Sequence, residues 1–185
     1  MHSRGLLTAP ATQNKIMKDW IEKHQITEVE CIIPDLAGAA RGKIMPAAKF
    51  TGATNLRMPQ SVFLQSINGE YPELYDEINP LDVDMVLQPD PYTIRLLPWA
   101  KEPSAQVIHD CFDMDGKPID ISPRQVLRRV LALYHAEGWK PVVAPELEFY
   151  LLQPNLDSKQ PLLPPIGRTG RVERSGQSFN IDAIN

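Results

Sequence analysis

Apolar positions along this chain fall into two periodicities, and each predicts its own kind of element. Ile16, Met17, Trp20 and Ile21 recur at helical spacing and predict an amphipathic helix over residues 13–24. Val29, Cys31 and Ile33 fall at every second position and predict a strand over 28–33. A turn at Gly38 leads into a second strand over 41–45, so the two read as a hairpin. Further strands are predicted at 61–67, 84–88, 92–96 and 105–112. The clearest helix has Ser122 at its N-cap, Pro123 at its first position and Gln125 three residues after Ser122 to complete a capping box. Val126, Leu127, Val130, Leu131 and Tyr134 form its buried stripe, and Gly138 stops it. Lys140 to Leu152 then returns as a strand, and the Pro- and Gly-rich residues 153–176 predict a long surface excursion.

The last of these strands carries the candidate chemistry. Within Ala144-Pro145-Glu146-Leu147-Glu148-Phe149-Tyr150-Leu151-Leu152, strand geometry puts Glu146 and Glu148 on one face, roughly 7 Å apart. Leu147, Phe149 and Leu151 face the other way. Two carboxylates held close together need cations, and oxygen ligands suit hard ions such as Mg²⁺ or Mn²⁺. The same alternation is what any half-exposed antiparallel strand shows, so the pair by itself leaves both readings open. Arg41 and Lys43 share one face of the second hairpin strand, where the plain expectation is a solvated edge that discourages unwanted pairing. Between the strands at 61–67 and 84–88 lies an interrupted acidic segment, Asn68-Gly69-Glu70-Tyr71 onward, with Glu73, Asp76 and Glu77. Long ordered loops of this kind are often functional. Asp113 to Gly116 lacks the later acids of a calcium loop and predicts a tight Asp-Gly turn.

Composition narrows the partners. With 19 Lys+Arg against 23 Asp+Glu in 185 residues and a net charge of −4, no basic surplus exists to neutralise a nucleic-acid backbone or dock on an anionic membrane. No apolar run approaches bilayer length, and the apolar stretch after Arg4 is too short for a secretion signal, which predicts a cytoplasmic protein. Cys31 and Cys111 sit singly in strand-like runs, as buried reduced thiols do, and no zinc spacing occurs.

Five blocks in order extend the picture. They are Ile33-Pro34-Asp35-Leu36-Ala37-Gly38-Ala39-Ala40-Arg41-Gly42-Lys43, Asp84-Met85-Val86-Leu87-Gln88-Pro89-Asp90-Pro91, Leu97-Pro98-Trp99, Ser122-Pro123-Arg124-Gln125-Val126-Leu127, and the glutamate strand. Together they resemble the glutamine synthetase superfamily, and within it most closely the bacterial γ-glutamylpolyamine synthetases. The resemblance implies an α+β fold, with an N-terminal segment and helix over 1–24, a β-grasp domain over 25–120 that docks on a neighbouring subunit, and the start of a catalytic α/β domain over 121–185. It further implies that the remaining ligands lie downstream of Asn185, so that this piece is an N-terminal fragment without turnover of its own.

The implied reaction is ATP-dependent ligation of glutamate to an amine through γ-glutamyl phosphate, with Mg²⁺ or Mn²⁺ and with a dodecamer-type ring as the full-length assembly. By analogy Glu148 would hold the metal on the glutamate side, and Glu146 the metal that bridges ATP phosphates. Ammonia-using relatives carry an aspartate before glycine where this chain aligns Asn68 before Gly69. A neutral amide there, followed by Glu70, implies a polyamine such as putrescine rather than ammonia. The alternatives are a glutamine synthetase proper and a non-catalytic truncated interaction module.

Overall fold

The computed structural model describes residues 10–52, 56–73, 75, 81–167 and 170–172. The first helix, α1 (Pro10–Lys23), forms where the helical spacing predicts it and begins three residues earlier. It buries Met17 and Ile21 and leaves Ile16 exposed. Strands β1 (Glu28–Pro34) and β2 (Ala40–Pro46) pair antiparallel from Glu28 opposite Pro46 to Pro34 opposite Ala40, as the expected hairpin. A short helix α2 (Ala47–Gly52), strand β3 (Leu56–Pro59) and a 3-10 turn (Gln60–Leu64) follow, then β4 (Asp84–Pro89). A second 3-10 turn (Pro91–Thr93), β5 (Arg95–Leu96), β6 (Ser104–Phe112) and α3 (Pro123–Ala136) complete the described elements.

The strands form one mixed sheet in the order β2-β1-β6-β4-β3, with β5 against β6. β1 runs parallel to β6, with Cys31 opposite Val107, while β4 is antiparallel to both β6 and β3. Alternation turns Val29, Cys31 and Ile33 of β1, Ala105, Val107, His109 and Cys111 of β6, and Met85 and Leu87 of β4 inward, and all are almost fully buried. One half of that inner face packs under Met17, Ile21 and Phe50 of the two helices. The other half packs against Val62, Phe63 and Ile119.

The two ends of the sheet meet. Lys43 Nζ of β2 donates to Arg57 O of β3 at 2.7 Å, and Arg41 Nη2 donates to Ser66 O at 2.7 Å, so twist curls the sheet into a nearly closed barrel. Arg41 and Lys43 therefore form a seam, which corrects the expectation of a purely solvated edge. Their donors satisfy carbonyls that a flat sheet would leave facing water.

Four local expectations change. Residues 61–67 are not a strand: Ser61, Val62 and Phe63 are buried consecutively, whereas a strand with one buried face turns every second residue outward. The strand expected at 92–96 shrinks to β5, because Asp90 accepts from Tyr92 N at 3.1 Å and starts a 3-10 turn instead. Helix α3 begins at Pro123 as expected, yet Ser122 makes no side-chain capping bond and is buried at 1% exposure. The stripe of α3 is also turned around. Val126, Leu127, Val130 and Tyr134 are exposed, and the face packed on the sheet is the one carrying Arg124 and Arg128.

The chain folds as two compact units, Met1–Pro141, which holds the barrel, and Val142–Asn185. The strand expected over 140–152, most of it in the second unit, has no ladder partner among the described residues and is an irregular, mostly exposed run. Alternation sets which way side chains point, but a strand exists only where a neighbour accepts its hydrogen bonds. Beyond it, Gln153 N donates to Leu163 O at 3.0 Å, and Gly167 N donates to Arg171 O at 2.8 Å beside a bridge between Ile166 and Val172.

Candidate functional site

The acidic loop after the first 3-10 turn is more ordered than its sequence suggests. Ser66 N donates to Glu70 O at 2.8 Å, Gly69 N to Ser66 O at 2.9 Å, and Glu70 N to Ser66 Oγ at 3.2 Å. These bonds close a five-residue turn, and Gly69 at φ 83° supplies the left-handed conformation that the closure requires. Asn68 stands exposed at its tip, and Glu70, also exposed, closes its base opposite Ser66. Past the turn, Tyr71 donates to Ser61 Oγ at 3.4 Å, accepts from Gln65 Nε2 at 3.0 Å, and packs its ring 4.3 Å from that of Tyr75. Glu73 is exposed, while Asp76 and Glu77 lie outside the described residues.

The turn has an anchor that the sequence reading missed. Arg41 bridges the buried Asp35 carboxylate and Ser66 O, so two residues of the block Ile33 to Lys43 reach a turn 25 residues further on. The only sequence signal was the Asp35 to Arg41 spacing within that block, which says nothing of the third partner.

Glu146 and Glu148 lie on the exposed run of the second unit. Neither carboxylate bonds to a described side chain or backbone donor, so all four oxygens are available to a cation. Among the described residues no group of three His, Cys, Asp or Glu side chains comes within ligating range of one point. The donor chemistry of the pair fits Mg²⁺ or Mn²⁺, and its ligand number falls short of a closed site. Asn68 and Glu70 thus share one turn, and the two glutamates share one segment.

Elsewhere the first unit holds a cavity of about 470 Å³. It is lined by Met17, Lys18, Phe50, Gln88, His109 and Asp113 among others, and by none of the four residues nominated from sequence. His109 is 1% exposed and donates from Nδ1 to Val107 O at 3.1 Å. Burial holds its pKa down at about 4. Both thiols are buried and unbridged, and burial pushes each up to about 12. No helix among the described residues is long and apolar enough to cross a membrane.

Comparison with known proteins places this geometry in a lineage. Residues 120–185 match the family described as glutamine synthetase, catalytic domain. Over 178 residues the chain is 34% identical to the γ-glutamylputrescine synthetase PuuA of Escherichia coli (strain K12), an alignment covering 91% of this chain and 37% of that one. It is 32% identical over 150 residues to a glutamate–isopropylamine ligase of Pseudomonas sp, covering 77% of this chain and 32% of the relative. The chain therefore spans about a third of the length of these curated relatives. Among solved structures, the GmaS/ADP complex superposes with a TM-score of 0.52 at 23% identity, over 65% of this chain and 26% of that one, a likeness of fold.

Proposed function

The chain belongs to the glutamine synthetase superfamily, and from that premise we propose that it supplies the amine loop and the first metal ligands of an ATP-dependent glutamate–amine ligase. The observation that carries the reading is the similarity, over 91% and 77% of this chain, to two enzymes named for putrescine and isopropylamine. Residues 25–120 are read as a β-grasp domain, a topology that the parallel pairing of β1 with β6 supports. Residues 121–185 open the catalytic domain, in keeping with the match over 120–185.

In this reading the γ-carboxylate of glutamate attacks the terminal phosphorus of ATP, giving γ-glutamyl phosphate and ADP. The amine nitrogen then attacks the acyl carbon, inorganic phosphate leaves, and the nitrogen gives up a proton as the amide forms. Phosphoryl transfer of this kind is mostly positioning and charge stabilisation. Glu146 and Glu148 would hold Mg²⁺ or Mn²⁺, which when bound neutralises the polyphosphate charge. Asn68 and Glu70 form the amine loop. The neutral amide at 68 removes the charge that would favour ammonium, and the exposed Glu70 draws a polycation such as putrescine. The full enzyme acts in the cytoplasm as a ring of like subunits in which the loop of one reaches the site of the next. The 185-residue chain by itself, with two metal carboxylates, has no turnover.

The test is a panel of putrescine, isopropylamine and ammonia on a ligase carrying this sequence in full. Putrescine is expected to give the highest kcat/KM, and Asn68→Asp to shift the ratio toward ammonia by roughly tenfold. A wild type that prefers ammonia across pH 7–9 overturns the polyamine reading in favour of glutamine synthetase proper. Absence of any amine-dependent phosphate release points to the non-catalytic module.

A further inference from the structure

Resting on the reading of Ser66 to Glu70 as the amine loop, we propose that Arg41 is the positioning residue of that loop and sets amine affinity without touching the amine. The Asp35 side chain is fully buried. Its Oδ1 accepts from Ala39 N at 2.8 Å within the β1–β2 turn, and its Oδ2 accepts from Arg41 Nε at 2.7 Å. A buried carboxylate needs a cation, and Arg41 supplies it with a rigid fork whose other arm is then aimed. That arm, Nη2, donates to Ser66 O at 2.7 Å.

Ser66 is the residue on which the turn closes. Its carbonyl accepts from both Arg41 and Gly69, its N–H donates to Glu70 O, and its hydroxyl accepts from Glu70 N. All of its polar groups are committed, so fixing Ser66 fixes the tip. Among the described residues nothing ties the Asn68 and Glu70 side chains themselves to the barrel. The turn is held from its two ends, at Ser66 by Arg41 and just past Glu70 by Tyr71, which bonds Ser61 and Gln65, and of these only the Arg41 link acts on the residue that closes the turn. Lys43 to Arg57 O is a second tie across the same seam, so replacing Arg41 leaves the sheet ends joined. Lysine at 41 places a single ammonium beside Asp35 and cannot span both acceptors.

Amide hydrogen exchange on Arg41→Lys and Arg41→Ala tests the positioning. Gly69 and Glu70 amides are expected to lose about fivefold or more of their protection, one hydrogen bond's worth, with β1 and β6 amides unchanged. In a ligase carrying the sequence in full, KM for the amine should rise by a similar factor, with the KM values for glutamate and ATP unmoved and Arg41→Lys recovering part of the loss. Unchanged Gly69 and Glu70 exchange in the folded lysine variant overturns the proposal. So does an equal rise in KM for glutamate and ATP, which a merely structural role produces, or lost protection with no change in amine KM. Failure of the amine-loop reading itself appears separately, as an Asn68→Asp variant whose amine ratio does not move.

Discussion

Arg124 donates from Nη2 to Asp90 Oδ2 at 2.6 Å, which ties the first turn of α3 to the residue that follows β4. The same guanidinium reaches Asp110 Oδ1 of β6 through Nε at 2.9 Å, and Arg128, one helical turn on, donates to Asp110 Oδ2 at 2.6 Å. Burial alone would lower the pKa of Arg124, but the two aspartates hold it above its ordinary value. This cluster explains why the charged side of α3, rather than its apolar side, lies on the sheet.

Removing Arg124 leaves two mostly buried carboxylates with one exposed partner. Arg124→Ala is expected to cost about 2 kcal/mol, below the figure for a fully buried pair because the site is partly wet. Arg128 is 51% exposed, and Arg128→Ala should cost under about 1 kcal/mol. Urea denaturation of both variants measures the difference, and equal losses would contradict the ranking.

His109 gives the barrel a pH dependence. Its native pKa of about 4 lies below the ordinary 6.5, so between those values the unfolded chain binds a proton that the native state refuses. Stability from this group is complete above about pH 6.5, falls as pH drops, and is lost by about pH 4, a total of roughly 3 kcal/mol. Asp110 and Arg124 lie near enough to act on it, in opposite senses. Comparing unfolding free energies of wild type and His109→Asn at pH 7 and pH 4.5 isolates the effect, since the carboxylates titrate in both. The wild type should lose more, and parallel curves would refute the assignment.

Gly42 sits opposite Ile32 in the β1–β2 ladder. A Cβ there would overlap the backbone carbonyl of Cys31 and press on Ile32 Cα, atoms that cannot move without breaking the pairing. Gly42→Ala should therefore destabilise by about 3 kcal/mol or more, although Gly42 has no left-handed φ. Thermal unfolding checks it, and a shift within a degree or two of wild type would mean that β2 moves aside.

Glu146→Ala and Glu148→Ala remove exposed side chains without described partners, so stability should stay within about 0.5 kcal/mol. Each should abolish Mg²⁺- or Mn²⁺-dependent turnover of a ligase carrying the sequence in full. Each should also weaken or remove one of the Mn²⁺-binding events that titration calorimetry detects on that ligase. Retained activity and Mn²⁺ affinity in either variant would sink the metal assignment for that residue.

Periodicity, with proline at the first helical position, by itself determined α1, the β1–β2 hairpin, β4, β6 and the start of α3 at Pro123. Each of these depends on residues within a few positions of one another. The acids at 146 and 148 and the Asn68-Gly69 pair stand in the sequence as local strings, and the roles given to them are the proposal. Tertiary structure decided the rest. The parallel partner of β1 lies 76 residues away on β6, and no local pattern names it. The capping box legible at Ser122 does not form, because burial of Ser122 against the barrel is settled by the fold and not by the local string. The apolar stripe of α3 is real as a periodicity, but two aspartates elsewhere on the barrel determined which face of the helix meets the sheet. Alternation over 140–152 likewise defines two faces and supplies no neighbour. Side-chain direction is set by the bonds of each residue, whereas pairing, closure and burial require groups that chain distance separates and only the folded barrel brings together.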